Sequence, residues 1–271
     1  MKRCKHCVRS YRHWVKKRLT KRQQRELKAE KQSLPDWCFH NEPTKLCAKH
    51  HAAAGRHRLP LLIVADEQTA GRGRGVNRWW TGRGGLAFSL LLDAASLGVS
   101  RRRSPLLALA AAIAVVDAAA PRLPSHQVGL HWPNDVYVDG RKLSGVLVEY
   151  LADGHVVIGV GINTNNTMTD APHELKRTAT TLFDLTGIEH NHTELLVAAI
   201  AGLETLLERL VDHPELIGRR ADTLCLQRGL ALSVDLGDQT IRGRCAGIGE
   251  DGALLLDTAN GRQKVFSGVL D

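Results

Sequence analysis

Apolar residues fall into short runs with two different spacings along the chain, and these spacings predict an α+β fold. Thr193 to Leu210 has apolar residues at helical spacing and is the clearest amphipathic helix, and Thr44 to Ala54 is predicted as a helix that Gly55 ends. A third helix is predicted to end before Pro121. It is expected to begin at Ser104-Pro105, where a capping residue precedes a proline at the first helical position.

Between these helices, short runs rich in branched and aromatic residues predict strands. The predicted strands are Trp37–His40, Leu59–Ala65, Leu86–Leu92, Val128–Trp132, Val136–Val138, Leu143–Leu151 and His155–Val160. Asp139-Gly140 is typical of a two-residue hairpin, and Asp153-Gly154 separates two runs that are expected to pair.

The pattern changes after Leu224, where short strands alternate with tight turns. The predicted strands are Ala231–Leu236, Thr240–Gly247, Ala253–Asp257 and Lys264–Phe266. So many turns in so few residues indicate a small barrel of SH3 size. The sequence therefore predicts an N-terminal extension over residues 1–33, a larger domain over 34–223 and a small domain over 224–271.

The net charge of +9 is concentrated at the N-terminal end. Residues 1–33 carry 13 Lys and Arg against two Glu, a charge of +11, so the remaining residues carry −2. A basic arm is typical of nucleic-acid binding, and it also fits a flexible, solubilising extension, which we favour. No run of about 18 apolar residues is present, so no membrane-spanning helix is expected. We expect a cytoplasmic protein.

Six cysteines are present, and the spacing Cys4-x2-Cys7 is half of a zinc-knuckle pattern. The other ligands would have to come from a distant group, namely Cys38, His40, Cys47, His50 and His51. We favour free thiols in a reducing compartment over a structural zinc site.

The segment Gly71-Arg72-Gly73-Arg74-Gly75 has the composition of an anion-binding loop. Glycines let backbone amides approach a ligand closely, and arginines add forked donors for phosphate or carboxylate. The spacing matches neither a Walker A loop nor a dinucleotide fingerprint. An arginine-rich surface loop is the alternative for these five residues alone. Trp79 and Trp80 nearby favour a nucleotide site, because an indole can pack against a base.

Two further segments carry candidate chemistry. In the first, Asn134 and Asp135 lie in a turn after a strand, and Lys142 follows the hairpin. Lys142 is suited to neutralise charge at a phosphorus under attack, and Asp135 to help hold Mg²⁺. In the second, alternating glycines end a buried strand and permit close backbone approach, and Asn163 offers amide hydrogen bonds. Each residue alone is more often a turn residue than a functional one.

In this order and at these separations, the three segments together resemble the biotin–protein ligases, and the resemblance extends from about Trp37 to the C-terminus. The matching pieces are Gln68–Arg74, Trp132–Asp135, Arg141–Gly145 with Val146–Glu149, and Gly159–Asn163. Gly247–Leu256 looks like the small SH3-like domain of that family.

The resemblance implies a class II synthetase-like catalytic domain, with a mixed or antiparallel sheet flanked by helices and an SH3-like barrel behind it. It implies that biotin reacts with Mg·ATP to form biotinyl-5′-AMP. The biotinyl group then passes to a specific lysine of a biotin carboxyl-carrier domain of a biotin-dependent carboxylase. Biotin, ATP and Mg²⁺ are the implied ligands. We expect a monomer or homodimer that binds neither a membrane nor specific DNA.

The resemblance also implies roles for single residues. Lys142, Arg72 and Arg74 are the implied catalytic residues, with Lys142 contacting both the biotin carboxyl and the α-phosphate. The implied biotin-binding residues are Thr44, Gln68, Gly71, Arg72, Gly73, Arg74, Lys142 and Gly145. The implied adenylate-binding residues are Arg74, Trp79, Asn134, Asp135, Lys142 and Asn163, and Asp135 is the implied contact to the Mg²⁺ carried by ATP.

The chain departs from the family pattern at three places. Pro43-Thr44-Lys45 stands where the family usually has Ser-Thr-Asn, so that only the threonine is kept. Gly75-Val76-Asn77 replaces a common Arg-Gly-Arg, and His131 stands where lysine is usual. We expect these changes to alter affinity before they abolish activity.

Two other hypotheses are a lipoate or octanoate transferase of the related fold, and a non-catalytic biotin-binding regulator with a nucleic-acid-binding tail. The Trp132–Asp135 turn argues against the first. The regulatory members of the family carry an N-terminal winged helix-turn-helix domain, and residues 1–33 are too few and too polar for that domain, so we expect the type that lacks it.

Overall fold

The structure is a computed structural model that describes residues 44–54, 59–65, 68, 71–75 and 77–270. The basic segment 1–33, the predicted strand Trp37–His40 and the Cys4-x2-Cys7 pair lie outside the described residues. Within them, the α-helices are α1 (Thr44–Ala54), α2 (Ala94–Leu97), α3 (Ser104–Ala119), α4 (Leu182–Thr186), α5 (His192–Asp212) and α6 (Pro214–Thr223). The strands are β1 (Leu61–Ala65), β2 (Leu86–Asp93), β3 (Val128–His131), β4 (Asp135–Val138), β5 (Arg141–Tyr150), β6 (His155–Ile162), β7 (Ala231–Asp235), β8 (Thr240–Ile248), β9 (Leu254–Thr258), β10 (Gly261–Val265) and β11 (Val269–Leu270).

The six strands β1 to β6 form one antiparallel sheet in the order β1-β2-β6-β5-β4-β3. The Asp139-Gly140 turn joins β4 to β5, and both residues have positive φ, 47° and 78°. Two successive positive φ values match the right-handed twist of a two-residue hairpin, which is why this dipeptide predicts the turn correctly.

One face of this sheet is covered by α3 and α5, and this layer holds the main core. Large side chains from alternate positions of β2, β5 and β6 meet the helices there, with Phe88, Ile158 and Ile113 fully buried. Among the described residues, Cys47, Ala48 and Ala52 of α1 pack on the opposite face, at one end of the sheet. The other end of that face holds small side chains and contains the candidate site.

Helix α3 is buried on nearly all sides. Together with its flanking turns, α3 forms the segment Arg101–Arg122, which is long and apolar enough to cross a membrane by length and composition alone. However, 67% of the apolar 18-residue stretch within it is buried inside the fold. Its apolar surface is therefore accounted for by packing against the sheet and α5. The predicted N-cap at Ser104 is wrong by one position, because the 3₁₀ turn Arg101–Arg103 runs directly into the helix and places Arg103 at the cap.

The C-terminal strands form a second antiparallel sheet in the order β10-β9-β8-β7-β11. Trp132, at the start of the β3–β4 turn, makes two of the hydrogen bonds that join the larger sheet to the C-terminal part of the chain. The Trp132 indole donates to the Gly252 carbonyl at 3.1 Å, and the Trp132 backbone N–H donates to Gln227 Oε1 at 2.7 Å. The predicted α+β class with a small SH3-like unit is confirmed, although β10 begins three residues earlier than predicted and β11 was not predicted.

Candidate active site

A single row of residues crosses all six strands on the open face of the larger sheet. Strand pairing aligns, in spatial order, Ala65, Ala87, Gly161, Gly145, Asp135 and His131. The first four residues have little or no side chain, so they form a shallow floor. The last two are polar and stand at one end of that floor.

The indole of Trp79 lies on this floor. A Cβ built on Gly161 would stand 2.4 Å from Trp79 Cε2, and one on Gly145 would stand 3.3 Å from Trp79 Cζ3. Contacts as short as the first are sterically forbidden, so the glycines provide the space that the indole fills. The sequence predicted Trp79 beside a nucleotide site, and the structure brings Trp79 and Gly145 together.

Lys142 and Asp135 form the charged centre of the site. Lys142 Nζ donates to Asp135 Oδ2 at 2.5 Å, and it lies 5.8 Å from the centroid of the Trp79 ring. At that distance a cation is attracted by the face of an indole. The two side chains are 31% and 19% exposed, so both remain open to a ligand.

A β-bulge turns Lys142 towards this face. In a regular strand Lys142 and Gly145 would point to opposite faces, because they are an odd number of residues apart. The pairing of β4 with β5 shifts between Val136 and Tyr137, so that Asp135 pairs with Gly145 while Tyr137 pairs with Lys142. Leu143 then points into the core, and Lys142 shares the open face with Gly145.

The backbone of Lys142 is fixed from its other side as well. The Lys142 N–H donates to the Thr178 carbonyl at 2.8 Å, and the Thr180 N–H donates to the Lys142 carbonyl at 2.9 Å. Thr178 and Thr180, which lie between β6 and α4, therefore hold the backbone of Lys142 in place, and we call these two contacts the Thr178–Thr180 clamp. Nothing in the sequence around these threonines indicated the contacts.

His131 and Tyr137 flank the charged pair. Their rings stack with centroids 4.3 Å apart and planes inclined by 17°. Burial lowers the pKa of His131, Lys142 adds to this effect, and Asp135 opposes it. Burial also raises the pKa of Tyr137 to about 12, with a further contribution from the Asp135 carboxylate. Both side chains are therefore neutral near pH 7, so Lys142 is the cation of this cluster.

The Gly/Arg loop folds as a short hairpin that leads to Trp79. The Gly73 N–H donates to the Asn77 carbonyl at 2.8 Å, and the Trp79 N–H donates to the Gly71 carbonyl at 3.0 Å. Gly71 is needed because a Cβ there would stand 2.4 Å from the Trp79 carbonyl oxygen.

The structure does not bring the two loop arginines to Lys142. The Arg72 side chain is exposed, and the Arg74 guanidinium donates to the Gly268 carbonyl of the smaller sheet at 2.9 Å. The loop is thereby attached to the C-terminal sheet.

Thr44 and Gln68 meet at the first turn of α1. The Thr44 backbone N–H donates to Gln68 Oε1 at 3.2 Å, and the Thr44 hydroxyl lies 2.8 Å from the Ser89 hydroxyl. Ser89 is fully buried and pairs with Gly159 in the next row of the floor. Sequence reasoning missed Ser89, although a lone hydroxyl inside the apolar run Leu86–Leu92 was a signal.

Asn134 and Asn163 are hydrogen-bonded to the framework around the site. The Asn134 side chain donates to the Val146 carbonyl, and the Val146 N–H donates to the Asn134 carbonyl at 3.0 Å. Asn163 is buried, and its Oδ1 accepts from Asn166 Nδ2 at 3.4 Å. Among the described residues no group of three or more His, Cys, Asp or Glu side chains could hold a metal ion.

The comparisons with known proteins agree with one another. Residues 41–163 match the Biotin/lipoate A/B protein ligase family, and residues 233–269 match the Biotin protein ligase C terminal domain. The chain is 34% identical over 221 residues to the biotin–[acetyl-CoA-carboxylase] ligase of Mycobacterium tuberculosis, covering 80% of each chain. It is 33% identical over 231 residues to the bifunctional ligase/repressor BirA of Bacillus spizizenii, covering 82% of this chain and 69% of that one.

Among solved structures, the chain is similar to the biotin protein ligase from Aquifex aeolicus in complex with biotin and ATP. The TM-score is 0.74 at 29% identity, and the match covers 86% of this chain and 98% of that one.

Proposed function

The chain belongs to the biotin protein ligase family, and on that premise we propose how its residues carry out the reaction of an ATP-dependent biotin ligase. In the first step, a carboxylate oxygen of biotin attacks the α-phosphorus of ATP. Biotinyl-5′-AMP forms and pyrophosphate leaves. In the second step, a neutral lysine amine of the acceptor protein attacks the mixed anhydride, an amide forms and AMP leaves.

Lys142 is proposed to stabilise the first step. Its ammonium is the cation of the cluster around Asp135, His131 and Tyr137, and it stands above the floor on which both reactants must lie. Negative charge builds up on the α-phosphate oxygens as the bond to biotin forms. A preformed cation at that point lowers the energy of the pentacoordinate state. The bulge and the Thr178–Thr180 clamp hold the backbone of Lys142 in place for this role.

Asp135 is proposed to be the protein contact for Mg²⁺. It is the only carboxylate in the row that crosses the floor, and a single carboxylate together with substrate phosphates is a common way for proteins to hold this ion. The donor set therefore fits a metal that arrives with ATP better than a metal held by the protein alone. When bound, Mg²⁺ would neutralise charge on the leaving pyrophosphate.

The two ends of the floor are proposed to divide the substrates between them. Thr44 and Gln68 would hold the ureido end of biotin, since they present a hydroxyl, an amide and a helix N-terminus beside the small residues Ser89 and Gly159. Trp79 would pack near adenine, and Asn134, Asp135 and Asn163 would line the nucleotide side. Gly71, Gly73 and Gly145 would let the loop and the floor approach the ligand closely.

Arg72 and Arg74 are proposed to retain the adenylate. A mixed anhydride hydrolyses readily, so the site must exclude water until the acceptor arrives. A hairpin that carries two arginines and is joined to the floor through Trp79 can close over the intermediate. In doing so Arg74 would exchange the Gly268 carbonyl for a phosphate oxygen.

The acceptor is proposed to be a biotin carboxyl-carrier domain of a biotin-dependent carboxylase, and the reaction is expected to take place in the cytoplasm. The relative from Mycobacterium tuberculosis, named for acetyl-CoA carboxylase, supports the first proposal.

The observation that carries the mechanism is the Lys142–Asp135 pair at the end of a floor of alanines and glycines. Purified protein is incubated with biotin, ATP, Mg²⁺ and a carrier domain, and the carrier is weighed by mass spectrometry. We expect a mass increase of one biotinyl group and biotin-dependent release of pyrophosphate. Lipoate in place of biotin is the control, and lipoylation without biotinylation would overturn the proposal.

A further inference from the structure

Two lysines of α1 converge on one carboxylate of the larger sheet. Lys45 and Lys49 lie one helical turn apart, and both form ion pairs with Glu149 near the end of β5. The Lys45 side chain is only 16% exposed, whereas Lys49 is 37% exposed. Burial alone would raise the pKa of Glu149, but the hydrogen bonds from the two lysines lower it below its ordinary value. We call Lys45, Glu149 and Lys49 the ion triad.

The ion triad lies directly beside the proposed biotin end of the floor. Lys45 follows Thr44, and its Cβ is 4.0 Å from the position that a Cβ on Gly159 would take. Gly159 pairs with Ser89, and Glu149 belongs to the next row, where it pairs with Val157. The aliphatic stem of Lys45 therefore passes over the sheet next to the hydroxyl pair of Thr44 and Ser89, and its ammonium reaches the row behind.

Apolar contacts alone fix the position of α1 on the sheet only weakly. The buried apolar residues that α1 contributes are Cys47, Ala48 and Ala52, which are all small. Small side chains interdigitate little with the sheet, so they fix the rotation and translation of a helix less than large ones do. The ion triad supplies a directional contact at the first turn of α1, where the apolar seam ends.

We propose that Lys45 is a positioning residue for biotin, which acts by tying the first turn of α1 to Glu149 and thereby fixing the Thr44 hydroxyl and backbone N–H. This inference rests on the proposed contact of Thr44 and Gln68 with biotin. It also gives a reason for lysine at a position where the family usually has asparagine. The ammonium reaches a carboxylate that a shorter amide would not reach in the same way.

The test is a set of matched variants of the full chain. Lys45→Met keeps the aliphatic stem and removes the charge, and Lys45→Arg keeps both. Lys264→Met is the control, because Lys264 of β10 also forms an ion pair, of 2.6 Å with Asp251, and its side chain is 57% exposed. For each variant, biotin-dependent pyrophosphate release gives kcat and the KM for biotin and for ATP. Calorimetry with biotin alone gives its Kd, and thermal unfolding gives Tm.

We expect Lys45→Met to raise the KM and the Kd for biotin about tenfold. The KM for ATP and kcat should stay within about twofold of the unsubstituted chain. Lys45→Arg and Lys264→Met should leave the biotin constants within the same range. A structural role alone would instead lower kcat and raise both KM values together, and that result would overturn the inference.

Thr44→Ala distinguishes the positioning role of Lys45 from the proposal that Thr44 and Gln68 bind biotin. If Thr44→Ala raises the KM for biotin and Lys45→Met does not, the positioning role is wrong while the biotin end of the floor stands. If neither variant changes the biotin constants, α1 does not form a wall of the biotin site, and both proposals fail.

Discussion

The ammonium of Lys142 lies 2.5 Å from Asp135 Oδ2, and a β-bulge rather than regular strand pairing brings the two side chains together. Without the bulge, Lys142 would point into the core layer under α3, where a charge is costly to bury. The bulge thus decides whether the ammonium of Lys142 stands on the open face of the sheet.

Removal of this cation should abolish the first step. Lys142→Met keeps the length of the side chain and its packing on Trp79, but it leaves the α-phosphate without the proposed counter-charge. We expect biotin-dependent pyrophosphate release to fall by about 100-fold or more. Lys264→Met is the matched control and should keep full activity. An active Lys142→Met enzyme with unchanged Tm would refute the proposed role.

The space above Gly161 should be as important for activity as the charge of Lys142. Gly161→Ala places a Cβ 2.4 Å from Trp79 Cε2, so the indole has to leave the floor. We expect a changed near-UV circular dichroism spectrum and a loss of activity of about tenfold or more, which corresponds to a misplaced binding surface.

Gly202→Ala is the matched control for that substitution. Gly202 lies inside α5, and a Cβ there meets Ala114 Cβ at 3.6 Å, which is ordinary van der Waals contact. Alanine also favours the helix, so this variant should keep activity and raise the free energy of unfolding by about 0.5–1 kcal/mol. Equal losses of activity in both variants would show that Gly161 has no special link to Trp79.

Arg74 should control the release of the intermediate. In Arg74→Gly the loop loses the guanidinium that binds the Gly268 carbonyl and that we propose to hold the adenylate. We expect free biotinyl-AMP to accumulate and bystander proteins in the assay to become biotinylated, as detected with labelled streptavidin. Arg102 is an exposed arginine in the turn Arg101–Arg103 before α3, and Arg102→Gly should give no such background. Equal background from the two variants would contradict the retention role.

Local signals in the sequence predicted the elements that are local in space. Helix α1 was predicted with its observed bounds, and the Asp139-Gly140 hairpin was predicted because the dipeptide itself prefers positive φ. The three functional segments were recognised from their residue types. Of these, the structure joins Lys142, Asp135, Trp79 and Gly145 around one floor.

Features that depend on distant residues could not be predicted. The bond from Arg74 to Gly268 spans 194 positions in the sequence, and its acceptor is a backbone carbonyl that any residue could provide. The ion pair of Lys45 with Glu149 depends on how α1 lies across β5, and no local pattern encodes that. The bulge that turns Lys142 is likewise a property of strand register. The assignment of substrates to the individual residues stays a proposal.

The stacked pair of His131 and Tyr137 should make stability depend on pH. Burial lowers the pKa of His131 below its ordinary value of 6.5, because the folded state favours the neutral ring. His131 therefore contributes to stability above pH 6.5, and this contribution is lost as the pH falls through the lowered pKa, since the unfolded chain takes up the proton more readily.

His131→Phe keeps a ring to stack on Tyr137 but cannot be protonated. Between about pH 7.5 and about pH 5, its Tm should therefore fall less than that of the unsubstituted chain. His213→Phe replaces a histidine whose side chain is 65% exposed, so its Tm should fall as far as that of the unsubstituted chain. If the Tm of His131→Phe falls as far as that of the unsubstituted chain, His131 is not held neutral in the folded protein. His131 could then share the positive charge of this cluster with Lys142, contrary to the proposed role of Lys142.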